Sequence, residues 1–514
     1  MNGKIRFWLP SIADIFFLCP FLLLSLDSGN KLLNDAGTGF HIRSGQYIIA
    51  NHAVPQYDVF SHIAPPLPWI AHEWLSEVIM ALIHQRFGLT GVVLFFSCLI
   101  SLIYFLLFKS IRNNGGNIVS SSLIVFLALL SSTLHWLARP HVFTLALTLL
   151  WYYVLESYYR KDKNYLLLLP LTMLLWVNLH GGFVIGFVLL AIYVCGQSAE
   201  ALAASVSEVN LSAHKFRILV YIAFSCLLIS LANPDGYHVL LFPIKLVFNQ
   251  SLVDTIMEYR SPDFHESLPF KYLLLLTIAI LALSRGKIRL VELFLLLIFT
   301  YMALYSVRHI PLFAIIIAPI LVRRIDRMIE QSDGKFVVAL GKRSRNLASI
   351  DGRLLGHFWP LTALLLVCIL AGTGIIRFGF DSARMPIAAV EFLQRQKING
   401  NMYNPEQFGD YVIYTAWPQY KVFLDGRIDM YGAERMKEYM KVAMVQPGWK
   451  DVLAKYDINF VFYNANSPIS VLLAQREDWR LVYTDSVANI FVRDSVENKG
   501  LIRKYHDVRP PLNY

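Results

Sequence analysis

Apolar residues run along most of this chain in unbroken blocks, not at the spacing of a surface helix. A helix needs roughly 20 apolar residues to cross a bilayer. Scanning for such runs predicts eleven spans, at about 8–28, 89–108, 117–137, 141–159, 164–179, 183–199, 216–232, 268–284, 291–307, 309–323 and 357–377. The pair around 300–323 also reads as one bent hairpin. Trp74–Phe87 is apolar on one side but carries Glu77, His84 and Arg86, the pattern of an amphipathic helix at the interface. Two of the connections between spans are long, 29–88 and 233–267.

Beyond residue 380 the pattern changes. Short β-rich runs (Lys421–Leu424, Phe460–Tyr463, Leu481–Tyr483, Ile490–Val492) alternate with helical stretches (Glu406–Ala416, Ala433–Val445, Trp449–Lys455, Ile469–Gln475). The alternation predicts a small α/β domain with a largely parallel sheet. The expected fold is thus an α-helical polytopic membrane domain, 1–379, carrying the long outer loops 29–88 and 233–267. A C-terminal extracytoplasmic α/β domain, 380–514, follows it.

Composition agrees. Of 514 residues 56% are hydrophobic and only 16% charged, against about 25% charged in soluble domains. The net charge of +10 invites nucleic-acid binding, but that needs basic residues clustered on one folded face. Here they sit in short loops between apolar runs. With the N-terminus cytoplasmic, inner loops carry 20 Lys and Arg and outer loops 8. That bias predicts N-in, and eleven spans then put the tail outside. Lys4 and Arg6 precede an apolar run without a small-residue cleavage site, as in a signal anchor that stays. All five cysteines fall in apolar runs, which excludes a disulfide framework or a Cys-based metal site in the tail. The expected location is a bacterial inner membrane, with the chemistry on its outer face.

The outer segments hold the candidate chemistry. Asp35 follows the first span directly, at membrane-surface depth, as a general base or metal ligand. The plainer reading is a turn carboxylate, since Asp before Gly is ordinary turn chemistry. His41, His72 and Glu73 lie further along the same loop. His72-Glu73 lacks the second His of a zinc-protease motif. Arg139-Pro140-His141, Asn178-Leu179-His180 and Arg308-His309 stand where spans meet the outer surface. Interfacial anchoring explains any one of them. Together they suit a phosphate or pyrophosphate at the bilayer surface. The second long loop carries Asp254-Thr255-Ile256-Met257-Glu258.

These features resemble the GT-C superfamily of membrane glycosyltransferases, which use polyprenyl-phosphate-linked sugars. Asp35 corresponds to that family's first-loop acid. The tail resembles the oligosaccharyltransferase catalytic subunit: Gln407-Phe408-Gly409-Asp410-Tyr411 aligns with its Trp-Trp-Asp-Tyr-Gly segment, and Asp425-Gly426-Arg427 with the following Asp-Gly strand end. Thr255-Ile256-Met257-Glu258 fits its Thr-Ile-x-Glu motif, and Arg308 falls where the family binds the donor's phosphates. The Trp pair is absent, and Arg139-Pro140-His141 stands where an Asp-x-Asp motif would be.

The resemblance implies transfer of a sugar or glycan from a polyprenyl-(pyro)phosphate donor to a glycan, lipid or protein acceptor on the outer face. Asp35 and Glu258 would be catalytic, or would hold a divalent Mg or Mn ion. Arg308, His309, Arg139 and His141 would bind donor phosphate, and His41, His72, Glu73, His180, Asp410, Asp425 and Arg427 would line the cleft. A different class stays open: a non-catalytic membrane protein whose α/β domain binds an envelope glycan or a protein partner.

Overall fold

The computed structural model describes residues 8–202, 206–248, 257–266, 268–354 and 357–509. It is mostly helical, with one small C-terminal sheet. The chain forms two compact units. The first comprises Met1–Lys31, Val92–Pro243 and Val253–Arg377; the second comprises Leu32–Gly91, Ile244–Leu252 and Phe378–Tyr514. Most of the first long loop, Leu32 onward, thus falls in the same compact unit as the C-terminal segment.

The first unit is a helical bundle around the helix Ile310–Glu330. Every residue from Ile310 to Val322 is buried, so this helix is apolar all round, as a helix enclosed by others must be. It packs against Ile118–Ser132, Leu290–Tyr305, Pro269–Leu283 and His141–Lys161. Glycine permits a close crossing beside it: a Cβ on Gly196 would lie 2.5 Å from Val291 Cγ2, the small-residue contact typical of membrane helices. The helix Phe358–Gly372 buries only Val367 and exposes Leu361, Leu365 and Ile369, as a lipid-facing helix does. Among the described residues, Trp74–Asn113, Ile118–His135 and Gly181–Glu200 are long and apolar enough to span a membrane. Leu168–Leu179, Pro269–Leu283, Leu290–Tyr305 and Phe358–Gly372 are shorter apolar helices. Trp74–Asn113 joins the expected interfacial helix to the following span across a kink at Gly88, whose φ of 61° suits glycine.

The second unit is built on a four-stranded sheet of β1 (Asn401–Tyr403), β2 (Ile458–Asn464), β3 (Trp479–Thr484) and β4 (Ala488–Arg493), in the order β1-β2-β4-β3. Only β1 and β2 pair in parallel; β2–β4 and β3–β4 are antiparallel. The expectation of a largely parallel sheet is corrected by a tight turn. Asp485 accepts hydrogen bonds from Val487 N at 2.8 Å and Ala488 N at 2.7 Å, reversing the chain within a few residues, too few for a parallel crossover. Lys421–Leu424 forms no strand of this sheet. Val422 instead bridges Ser61 of the first long loop, with Val422 N donating to Phe60 O and His62 N donating to Val422 O, both at 3.1 Å.

One core accordingly draws on both ends of the sequence. Phe40, Phe60 and Trp69 are buried with Phe408, Val422, Phe460 and Ile490. The helix Glu406–Ala416 lies so close to the following segment that a Cβ on Gly409 would stand 1.9 Å from Leu424 O. Gly409→Ala is therefore expected to cost about 1–3 kcal/mol and to lower the melting temperature of the full chain, read by tryptophan fluorescence in detergent. Gly500→Ala, where a Cβ meets nothing within 4 Å, is expected to melt as the parent does.

Candidate functional site

In the second unit the candidate residues form three connected groups. The first is at Asp35. Its Oδ1 accepts from Gly37 N at 2.7 Å, the turn role read from the sequence, and so helps to start the helix Gly37–Asn51. Ala36 N donates to Gln407 Oε1 at 3.0 Å. This brings Asp35 close enough to Asp410 for its charge to act there. Asp410 is fully buried on the helix Glu406–Ala416 and its Oδ1 accepts from Gly426 N at 2.9 Å. Burial, then the charges of Asp425, Glu406 and Asp35, push its carboxyl well above the ordinary range.

The second group surrounds Arg427. Its guanidinium reaches Asp425 Oδ2 at 2.6 Å and Asp58 Oδ1 at 2.7 Å. It also sits 5.3, 5.2 and 4.5 Å from the ring centres of Phe40, Phe60 and Trp69, within cation–π range. Tyr431 donates to Asp425 Oδ2 at 2.7 Å. Burial opposes the charge on Asp58. The Arg427 guanidinium and hydrogen bonds from Ser61 and Phe60 N outweigh it and hold this carboxyl below its usual value. Burial likewise opposes the charge on Arg427, and Asp425 and Asp58 more than restore it.

The third group joins His41, His72 and Glu73. His41 Nδ1 lies 3.1 Å from Glu77 Oε1, and Ser44 Oγ donates to Glu77 Oε2 at 2.6 Å. Glu73 stands 3.7 Å from both His41 Nε2 and His72 Nε2. Burial raises the carboxyl of the neighbouring Asp429; His72 opposes that shift and Glu73 adds to it. Asp58, Glu77, Asp429 and Tyr431 are members that sequence reasoning missed. Tyr57-Asp58 is visible in the loop, but nothing local points to an arginine 369 residues away.

In the first unit, Glu258 lies between two arginines. Arg139 Nη1 is 3.5 Å from its Oε1, and Arg308 Nε is 3.9 Å from its Oε2. Arg308 also stacks 4.8 Å from the Tyr259 ring. Two hydrogen bonds to backbone carbonyls hold this arrangement: Ser306 Oγ donates to Glu258 O at 2.9 Å and Val307 N donates to Arg260 O at 3.0 Å. Asp254, Thr255 and Ile256 of the loop motif lie outside the described residues.

The histidines flank this arginine pair. His141 packs 4.2 Å from His135, which the sequence reading missed, and its Nε2 lies 2.9 Å from His135 O. His135 is within electrostatic reach of Arg139, Arg308, His180 and His309. His180 Nδ1 accepts from Gly182 N at 2.9 Å and faces Thr144 Oγ1 at 2.8 Å. His309 Nδ1 lies 3.2 Å from Met302 O. Asp35 belongs to the second unit and Glu258 to the first.

Among the described residues no group of three or more His, Cys, Asp or Glu side chains is spaced to hold a metal ion. Glu258 faces two guanidiniums, and their charge suits an anion and repels a divalent cation. The residues around Glu258 therefore do not fit a metal site.

The chain resembles solved structures at the level of fold. It is similar to the archaeal oligosaccharyltransferase AglB from Archaeoglobus fulgidus in complex with an inhibitory peptide and a dolichol-phosphate. The TM-score is 0.53 at 10% identity, covering 98% of this chain and 74% of that one. The apo form of the Archaeoglobus fulgidus oligosaccharyltransferase matches with a TM-score of 0.51 at 11% identity, covering 88% and 69%. No family model matches the sequence, and no curated protein matches it.

The charge groups predict opposite responses to isosteric change. Asp425→Asn removes a buried partner of Arg427 and is expected to cost about 3–5 kcal/mol. Asp410→Asn replaces a carboxyl whose raised pKa favours the neutral form and is expected to stay within about 1 kcal/mol of the parent at pH 7. Thermal melts of the two variants at pH 7 check this. The depressed pKa of Asp58 stabilises the fold above its ordinary carboxylate range, and that contribution is lost as pH falls through it. Asp58→Asn should therefore flatten the acid side of the stability profile below about pH 4.

Proposed function

We propose that the chain is a glycosyltransferase that moves a sugar or glycan from a polyprenyl-(pyro)phosphate donor to an acceptor on the outer face of a bacterial inner membrane. The pairing of Arg139 and Arg308 on Glu258, with histidines around it, carries this reading. Two guanidiniums beside a membrane helix end suit a lipid-borne phosphate, and the likeness of fold to an oligosaccharyltransferase in complex with a dolichol-phosphate supports that choice. Eleven spans, a cytoplasmic N-terminus and an extracytoplasmic tail belong to the same proposal.

In this mechanism Glu258 holds the two guanidiniums apart and oriented until donor phosphate takes up their charge. Asp35 accepts or orients the acceptor's proton as its oxygen or nitrogen attacks the anomeric carbon. The bond from that carbon to the phosphate oxygen breaks through an oxocarbenium-like transition state. Arg308 and Arg139 stabilise the charge gathering on the departing phosphate. Asp410, Asp425 and Arg427 support the loop that carries Asp35.

A labelled polyprenyl-linked sugar in proteoliposomes tests the assignment. Asp35→Asn is expected to slow transfer about 10²–10⁴-fold with donor binding retained; transfer at the parent's rate would remove Asp35 from the chemistry. Arg308→Ala is expected to weaken donor binding roughly tenfold or more, and an unchanged affinity would take Arg308 out of the phosphate site.

A second reading is a non-catalytic protein that binds a glycan or partner through the α/β domain. It draws on a cavity of about 510 Å³ lined by Phe392, Tyr483, Tyr505, Arg395 and Arg509. Transfer activity that depends on Asp35 would exclude it.

A further inference from the structure

A second basic cluster lies in the first unit, distant from Arg139 and Arg308. On the central helix, Arg323 and Arg324 follow Arg308 by a rise of roughly 20 Å, most of the thickness of a bilayer's hydrocarbon core. Arg160 sits near the far end of His141–Lys161. These three guanidiniums converge on two carboxylates. Arg160 contacts Glu156 Oε1 and Glu292 Oε1, each at 2.5 Å. Arg323 contacts the same two oxygens at 3.0 and 3.3 Å, and Arg324 contacts Glu292 Oε2 at 2.8 Å. Tyr193 donates to Glu156 Oε2 at 2.7 Å.

The formal charges do not cancel: three cations meet two anions. Glu200 and Arg289 meet on Tyr159 and add one charge of each sign, so the excess of one positive charge persists. Arg324 is 1% exposed and its Nε is buried without an acceptor among the described residues, while Arg323 lies against the neutral hydroxyl of Tyr152, which adds no negative charge. Two backbone carbonyls, Gly286 O and Lys287 O, accept from Arg324 at 3.3 Å. This places the exposed Arg285, Lys287 and Arg289 beside the cluster. A buried uncompensated charge is costly, and a basic pocket between helices at a leaflet surface is where anionic head groups bind. A phosphodiester carries one negative charge, the size of the excess.

We propose that Arg160, Arg323 and Arg324, rimmed by Lys287 and Arg289, form a second anion site for a phosphate group. Its source is an acidic phospholipid headgroup or free phosphate at the bundle end away from Arg308. The site does not depend on the proposed transferase activity.

Native mass spectrometry of the full chain, delipidated in detergent and offered phosphatidylglycerol or phosphatidylcholine, tests the lipid. Thermal shifts with inorganic phosphate against chloride at equal ionic strength test the free ion. The parent is expected to retain phosphatidylglycerol about tenfold better than phosphatidylcholine, or to be stabilised by inorganic phosphate if the free ion is the ligand. Arg323→Gln removes the excess charge and should abolish the preference. Lys287→Gln with Arg289→Gln, exposed changes that leave the buried pairs intact, should reduce it severalfold even if Arg323→Gln fails to fold. A parent with no preference for either phosphate source, or a preference unchanged in the rim variant, overturns the site.

Discussion

The second unit hangs on one buried cation. Arg427 is 5% exposed, and such a charge persists only where partners replace its water. Its partners come from distant parts of the chain: Asp425 two residues before it, and Asp58, Phe40, Phe60 and Trp69 from the first long loop. Satisfying one guanidinium therefore ties the loop to the C-terminal domain. The bridge between Ser61 and Val422 and the contact between Ala36 and Gln407 follow from the same docking.

That docking explains why Asp35 does not act as an isolated turn residue. The helix it starts is packed against Glu406–Ala416, and the charge of Asp35 is felt by a carboxyl buried on that helix. Arg427, held by Asp425, also reaches Asp58 of the first long loop and so joins it to the C-terminal segment. In the first unit a different constraint operates. The stretch Ile310–Val322 is buried throughout and uncharged; Arg308 precedes it and Arg323–Arg324 follow it, and both sets meet glutamates from neighbouring segments.

The helical bundle and the mixed domain after it were legible because hydrophobic runs and short β-rich runs are local signals. Arg139, His141 and Arg308 were legible as polar exceptions at the ends of apolar runs, and Glu258 through the loop motif it closes; the structure brings Arg139 and Arg308 onto Glu258. His135 was not singled out, since its partnership with His141 depends on a turn and not on a motif. Asp58 was passed over because its chemistry needs Arg427, far off in sequence. Lys421–Leu424 looked like a strand of the sheet for the same kind of reason: its β-propensity is real, but its partner is Ser61–His62.

By itself, then, the sequence determined the apolar blocks, the charge bias across them and the residue types available at the helix ends, since each follows from local composition and spacing. Tertiary structure alone decided which charges pair, that the first loop and the tail share a core, and that the sheet is mixed. Pairing energies depend on distance and burial, which arise only when segments hundreds of residues apart displace the same water.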